Sequence, residues 1–385
     1  MLLTNIDGVL MCEMKPSTIQ KHFGTIPDPR SNNSLHLLID IVSISICAVI
    51  SGAQTYEQIE EFGKSYHDWL KEFLILPNGI PSHDTFGRVF SVIDPREFQN
   101  SFIDWVAEVS RSLHGELIAI DGKTLRRSFD KASDKKAIHM VSAWATGQNI
   151  VLGQYKTAEK SNEITAIPIL LKMLDIEGSI ISIDAMGCQT KISSAIKTQN
   201  ADYVLALKEN HPQLYGDVKL YMDDIIQSGK KDLDYYFCKT IDADHGRIET
   251  RKYWITSNID WLQGKEKWSG LTSIGMVERI RETDNDYSSE ISYYIASIED
   301  NAELFAKSVR NHWGIENGLH WVLDMAFRED ESRIRKGHAP ENFAILRHIA
   351  LNLIKNEKTF KGSVNTKRLK ASWDIDYLKK ILKLN

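Results

Sequence analysis

LIAIDGK, residues 117 to 123, sets an unbroken apolar run against an acid and a glycine. Four apolar residues in succession carry no helical spacing, and a run of that length before a turn-former reads as a strand covered on both faces. Asp121 stands at the end of that strand, beside Gly122. Taken alone, the pair also reads as an ordinary Asp-Gly hairpin turn. Further along, SIISIDAMG (179 to 187) repeats the arrangement, with Asp184 closing IISI; alone, this acid reads equally as a loop residue or a helix cap. Neighbouring strands of one parallel-type sheet that both end in Asp place the two carboxylates at the same sheet edge, where open α/β sheets take their ligands.

Outward from these two runs, IHMVSAWAT (138 to 146) and IVLGQYKTA (150 to 158) are separated by Gly147-Gln148-Asn149 and complete a three-stranded antiparallel meander. NEITAIPILLKML (162 to 174) and TKISSAIKTQ (190 to 199) have helical spacing, and ADYVLALK (201 to 208) is a further strand. The order β-β-β-α-β-α-β is what a ribonuclease-H-like layered α/β core requires. Residues 1 to 115 read as an N-terminal helical domain, with a short helix over 82 to 93, N-capped by Ser82, that reads either as a DNA-reading helix or, more commonly for its kind, as one member of a packed bundle. The core begins over 116 to 210. Strand-like runs at 251 to 257, 271 to 281 and 291 to 297 make 211 to 298 an inserted, mainly β subdomain. Residues 299 to 385 return to the core through a helix over 302 to 323 and end in a basic helical segment.

That helix supplies a third acid. In RNHWGIENGLHWVLD, Ile315, Leu319 and Val322 form an apolar stripe and Glu316 lies beside it. Glu316 alone reads as a surface residue, and His312, Glu316 and His320 at i, i+4, i+8 also resemble a zinc site. Two strand-end carboxylates and one from a helix leave room instead for Mg²⁺, a hard cation that takes oxygen ligands and keeps several waters. Without metal such a cluster is strained: at roughly 5 Å and an effective dielectric of ~20, each charged pair repels by about 3 kcal/mol.

Composition restricts the remaining possibilities. With 385 residues and 42% hydrophobic content the chain can bury a large core, and its formal net charge of -5 gives no sign of a nucleic-acid partner. From Glu331 onward, however, 13 Lys and Arg stand against 5 Asp and Glu, so the charge is uneven. Cys12, Cys47, Cys188 and Cys238 are too scattered for a zinc ribbon or a disulfide framework. LHLLIDIVSISICAVISG (35 to 52) approaches membrane-span length, but Asp40, Ser43, Ser45 and Ser51 favour a buried helix. The N-terminus lacks a basic segment before its apolar stretch, so no signal peptide is read. A reduced, cytoplasmic protein without a membrane segment is expected.

AIDGKTLRRSFD, KSNEITAIPILLKMLDI, SIDAMGCQ, DYVLALKENH, HGRIETR and RNHWGIENGLHWVLDMAFREDESRIRKG, in that order along the chain, resemble the DDE insertion-sequence transposases. More narrowly, they are similar to the subgroup containing the H-repeat-associated proteins, from about Ile19 to the last helices. The resemblance implies a ribonuclease-H-like core with an insertion before the last acid, and a triad of Asp121, Asp184 and Glu316. It implies cleavage at transposon ends and strand transfer into target DNA with two Mg²⁺ ions, Mn²⁺ being the substitute. The wider family's Tyr-x-x-Arg-x-x-x-Glu-x6-Lys pattern is followed here only by Glu316, with Trp313 and Ile315; Val309, His312 and Leu323 replace its Tyr, Arg and Lys. Candidate phosphate contacts are Lys123, Arg126 and Arg127 after the first acid, His245, Arg247 and Arg251 in the insertion, Arg310 and His312 before the Glu, and Arg333, Arg335 and Lys336 after it. The expected partner is double-stranded DNA, both terminal repeats and target, with the chain a homodimer once assembled on it. Two readings compete: an inactive or domesticated relative that holds DNA without cutting, and a zinc hydrolase using His312 and His320.

Overall fold

The computed structural model describes residues 18–30, 34–129, 136–157, 163–228, 234–244, 247–283 and 286–384. Nine strands form one mixed sheet: β1 (Leu117–Thr124), β2 (His139–Ala145), β3 (Ile150–Lys156), β4 (Ile180–Ile183), β5 (Asp202–Leu207), β6 (Tyr236–Asp244), β7 (Arg247–Thr256), β8 (Ser273–Thr283) and β9 (Asp286–Ala296), in the order β3-β2-β1-β4-β5-β9-β8-β7-β6. The β1–β4 and β4–β5 pairs are parallel and the others antiparallel. Parallel neighbours need a crossover, and helix Thr190–Thr198 supplies it between β4 and β5. Ile118 and Ile120 of β1 and Ile181 of β4 are fully buried, the covering on both faces that their uninterrupted apolar runs demand.

Three expectations change at this level. Asp121-Gly122 is not a turn: β1 runs on through Thr124, and Asp121 pairs with Ser142 and Thr124 with His139 on β2. The β-rich stretch expected as an insertion over 211 to 298 continues the same sheet through β9, which pairs with β5. It also contains helix Pro212–Ser228 and strand β6, neither of which was legible in the sequence. In β6 the side chains of Tyr236, Phe237 and Ile241 are exposed, so no buried face marks its period. Finally, the helix over 302 to 323 is broken into Ala302–His312, a π turn Glu316–His320 and helix Trp321–Phe327.

Contacts divide the chain into two compact units: the described residues from Val106 to Arg333, which include the sheet, and those up to Trp105 together with those from Ile334 on. This grouping differs from the segments drawn on the sequence, because the last helices pack with the first. The second unit is helical. The run considered for a membrane span is helix Leu38–Ile50, with Ile41, Val42, Ile44, Ile46 and Ile50 fully buried, and it packs on helix Ala339–Asn356. Asp40, buried on this helix, accepts a hydrogen bond from the Leu76 amide at 2.9 Å, which satisfies an acid that would be costly in a membrane or a core. No helix among the described residues is long and apolar enough to cross a membrane. Helix His83–Val92 buries Phe86, Val89 and Phe90, and the Ser82 side chain caps it by accepting from the Thr85 amide.

Candidate active site

Parallel pairing between β1 and β4 ends at Ile120 opposite Ile183. The next residue on each strand is an acid. Asp121 continues along β1 while the chain leaves β4 at Asp184, so the sheet opens between them at the two carboxylates. Asp184 is fixed by its own turn, its Oδ1 accepting from the amides of Met186 (3.0 Å) and Gly187 (3.1 Å). Gly187 has no room for a side chain, since a Cβ would lie 2.2 Å from Cγ2 of Ile183.

The π turn brings the third acid to this opening. Its i to i+5 hydrogen bond, from the Trp321 amide to the Glu316 carbonyl, widens the helix by one residue, a feature frequent where a helix must aim side chains into a site. Gly318 lets the turn lie against the buried Trp144 of β2, since a Cβ there would meet the Trp144 ring at 3.0 Å. Among the described residues, Asp121, Glu316 and His320 form a group whose ligand atoms all lie within 4.8 Å of one another. His320 is buried, with Nδ1 3.4 Å from Oδ2 of Asp121, and its Nε2 has no hydrogen-bond partner. His312 is not in that group; its Nδ1 lies 3.2 Å from Oγ of Ser182 on β4. Among the described residues, the competing zinc reading through His312 and His320 therefore finds only His320 in the group.

Electrostatics follow from this crowding. Burial, with Glu163, Glu316 and Asp184 nearby, pushes the Asp121 carboxyl up to about 7 against the opposing hydrogen bond from the Gly122 amide. Glu163 approaches from the other face of β1. Its Oε1 is 2.7 Å from Nε2 of His139, whose Nδ1 is 2.9 Å from Oγ1 of Thr124, and a Cβ on Gly122 would lie 2.1 Å from that same Oε1. Burial lowers the His312 imidazole from its usual value, with Asp184 and Ser182 opposing, and lowers His320 to about 4, with Lys123 adding to the effect. Asp121, Asp184, Glu316 and His312 all line one cavity of about 680 Å³, together with Arg279, Tyr293 and Trp313. A second cleft of about 370 Å³ shares Arg279 and Trp313 with it and is lined by Arg247, Arg281, Arg310 and Asn317.

The other sequence candidates are distributed unevenly. Lys123 is engaged by Asp324 and Glu329, and Arg251 is buried and held by Asp242 and Glu249. Arg126 is largely exposed with one ion pair to Asp330, at 3.1 Å, and Arg127 is exposed. Arg247 pairs with Glu249 at 3.1 Å and Arg310 with Asp242 at 3.3 Å, both half in solvent. Arg333 and Lys336 are exposed and Arg335 is half-buried. His245 lies outside the described residues. Arg279, Glu163 and His139 escaped the sequence reading. Arg279 is visible only from register, which sets it opposite Arg251 on β7 and Glu290 on β9.

Compared with known proteins, the chain matches the transposase DDE domain over residues 113–353 and the DDE_Tnp_1-associated domain over 20–106. It is 41% identical over 375 residues to the "H repeat-associated putative transposase YhhI" of Escherichia coli (strain K12), covering 96% of this chain and 98% of that protein. It is 42% identical over 375 residues to the "Putative transposase YncI" of Escherichia coli O157:H7, covering 96% and 95%. Among solved structures, a piggyBac transposase synaptic complex with hairpin DNA aligns at a TM-score of 0.42 and 10% identity, covering 95% of this chain and 77% of that one. By family match and by near full-length identity, the chain belongs to the DDE transposases, among the relatives of the H-repeat-associated proteins.

Proposed function

We propose that the chain is a DNA transposase that cleaves transposon ends and joins them to target DNA through Asp121, Asp184 and Glu316. The observation that carries this reading is the meeting of acids from β1, the end of β4 and the π turn at the one place where the parallel sheet opens. The strand order β3-β2-β1-β4-β5 supports a ribonuclease-H-like core, extended rather than interrupted by the strands that follow. Domain roles are proposed with it: DNA recognition by the helical N-terminal residues, phosphoryl transfer by the sheet unit.

The donor set suits a divalent cation. Asp121 and Glu316 offer hard oxygens beside His320, whose Nδ1 lies 3.4 Å from Oδ2 of Asp121, and the repulsion that Glu316 and Asp184 exert on Asp121 favours a cation among them. Asp121, Glu316 and His320 would hold one ion and Asp184 would contribute to a second, Mg²⁺ or Mn²⁺. When bound, such ions supply Lewis-acid stabilisation of charge on the attacking and leaving oxygens of a phosphodiester. The protein's own part is positioning. The turn after β4 fixes Asp184, Gly318 against Trp144 seats the turn that carries Glu316, and His312 and Arg279 line the cavity where phosphate oxygens would lie. DNA would continue along the cleft lined by Arg247, Arg279, Arg281 and Arg310, whose charges suit phosphates. Both end and target DNA are partners, the active assembly is a homodimer on DNA, and the compartment is the cytoplasm.

The test is cleavage of the element's own end DNA by the full chain with Mg²⁺, with Mn²⁺ and with chelator. Metal-dependent nicking at the element boundary is the expected result. DNA binding without cleavage under any of these conditions identifies a DNA-holding relative and removes the catalytic reading.

A further inference from the structure

Lys123 follows Asp121 by two residues, so the strand period puts both side chains on the same face of β1. Its ammonium is hydrogen-bonded to Asp324, lies 3.2 Å from Oε2 of Glu329 and 4.0 Å from Oδ1 of Asp330, and its side chain is 13% exposed. Glu329 is more deeply buried still, with a side chain 2% exposed. Asp324 belongs to helix Trp321–Phe327, which continues from the π turn that carries Glu316 and His320. Arg328 then adopts a left-handed backbone, φ 48°, and reverses the chain so that Glu329 returns to the same cation. One lysine on the Asp121 strand thus binds acids on both sides of the turn that ends the Glu316 helix.

We infer that Lys123 is a positioning residue: it ties the helix bearing Glu316 and His320 to the strand bearing Asp121, and so sets the separation of the acids in the site. This rests on the catalytic reading above and assigns Lys123 a role other than phosphate contact. A buried Glu329 needs its counter-charge, since removing one partner of a buried pair leaves an uncompensated charge. An ammonium with three rotatable donors can serve three carboxylates arriving from different directions, whereas a guanidinium presents a planar fork.

The experiment compares the full-length wild type with Lys123→Ala, Lys123→Arg and the charge swap Lys123→Glu with Asp324→Lys. Three quantities are read: end-DNA affinity as a function of salt in chelator, Mn²⁺ binding by calorimetry without DNA, and cleavage rate at saturating DNA against Mn²⁺ concentration. For Lys123→Ala the expected result is DNA affinity and salt slope within twofold of wild type. Mn²⁺ half-saturation rises about tenfold, and the cleavage rate falls at least tenfold, partly restored at high Mn²⁺. The swap recovers most of both losses and Lys123→Arg less. Weaker DNA binding with a salt slope reduced by about 0.9, the value of one phosphate contact, together with unchanged Mn²⁺ binding, overturns the inference. Should Lys123→Ala not fold, a folded swap variant with wild-type Mn²⁺ binding supports the inference, and one that folds but binds Mn²⁺ no better than Lys123→Arg overturns it. A wild type that neither binds Mn²⁺ nor cleaves removes the catalytic reading, an outcome separate from any effect of Lys123.

Discussion

Two acids withdrawn from solvent, Glu357 fully and Asp121 in part, one in each unit, have opposite surroundings. Glu357, at the end of helix Ala339–Asn356, would be pushed up by burial, but hydrogen bonds from Thr359, Tyr377 and Phe360 pull its carboxyl down to about 2, and Lys367 lies 3.5 Å away. Asp121 is pushed the other way, to about 7, by burial and by three further acids, against a single amide donor. Glu357 is solvated by the fold itself and needs nothing from outside. Asp121 lies where the fold supplies mostly charge of its own sign, an arrangement that persists only if something else uses it.

The contrast breaks first at catalysis. Asp121→Asn, Asp184→Asn and Glu316→Gln should each reduce cleavage of end DNA by about a thousandfold or more while end binding is kept; Glu357→Gln, in a protein that remains folded, should leave the rate unchanged. A Glu316→Gln protein that cuts at the parental rate would take this acid out of the site, with Asp324 the next residue to test. Stability should respond with opposite signs. Loss of charge-assisted hydrogen bonds in Glu357→Gln should cost about 1–3 kcal/mol. Relief of repulsion in Asp121→Asn should raise the thermal midpoint in chelator and shrink the stabilisation gained on adding Mg²⁺. Two shifts of the same sign would show that the acids differ less than their surroundings suggest.

The pH dependence sharpens the same comparison through linkage. A carboxyl whose folded pKa is depressed stabilises the protein fully above its ordinary value. The difference in urea midpoint between wild type and Glu357→Gln should therefore be complete above about pH 4.5, the ordinary glutamate value, and vanish as the pH falls towards 2. A raised folded pKa acts in reverse: in chelator, Asp121 should be most favourable below its ordinary 3.8 and should subtract stability as pH rises through about 7. That second slope should be absent from Asp121→Asn. The smallest effect is expected in the arginine cleft, where Arg310→Ala should weaken end binding a few-fold and reduce the salt slope by about 0.9, with cleavage at saturating DNA nearly unchanged.

Legibility followed the range of the interactions. LIAI before Asp121 and IISI before Asp184 are local patterns, each strand writing its own double-sided burial into four consecutive residues. The meander and the crossover helices were legible for the same reason. Glu316 was picked out, but the π turn that aims it was not, since the turn depends on Gly318 meeting Trp144 from another part of the chain. The engagement of Lys123 by Asp324 spans 201 residues, and nothing in a window around either shows it. Helix Pro212–Ser228 and β6 were passed over because charge dilutes their periodicity. The long-range pairing of β9 with β5, which makes the later strands an extension of the sheet, has no local signature at all.

Helix Leu38–Ile50 sits in the same unit as Ala339–Asn356, and the Arg368 guanidinium donates to the Val49 carbonyl at 2.8 Å across a separation of 319 residues. During synthesis, this apolar helix therefore waits for partners made about 300 residues later. The sheet unit, contiguous from Val106 to Arg333, can close before the helical one does. A chain stopped near Arg333 would keep every acid of the site yet leave helix Leu38–Ile50 without helix Ala339–Asn356 packed on it. Such a product would be recognised by chaperones and proteases before it met DNA, and an early stop codon would silence the protein through quality control rather than through its chemistry.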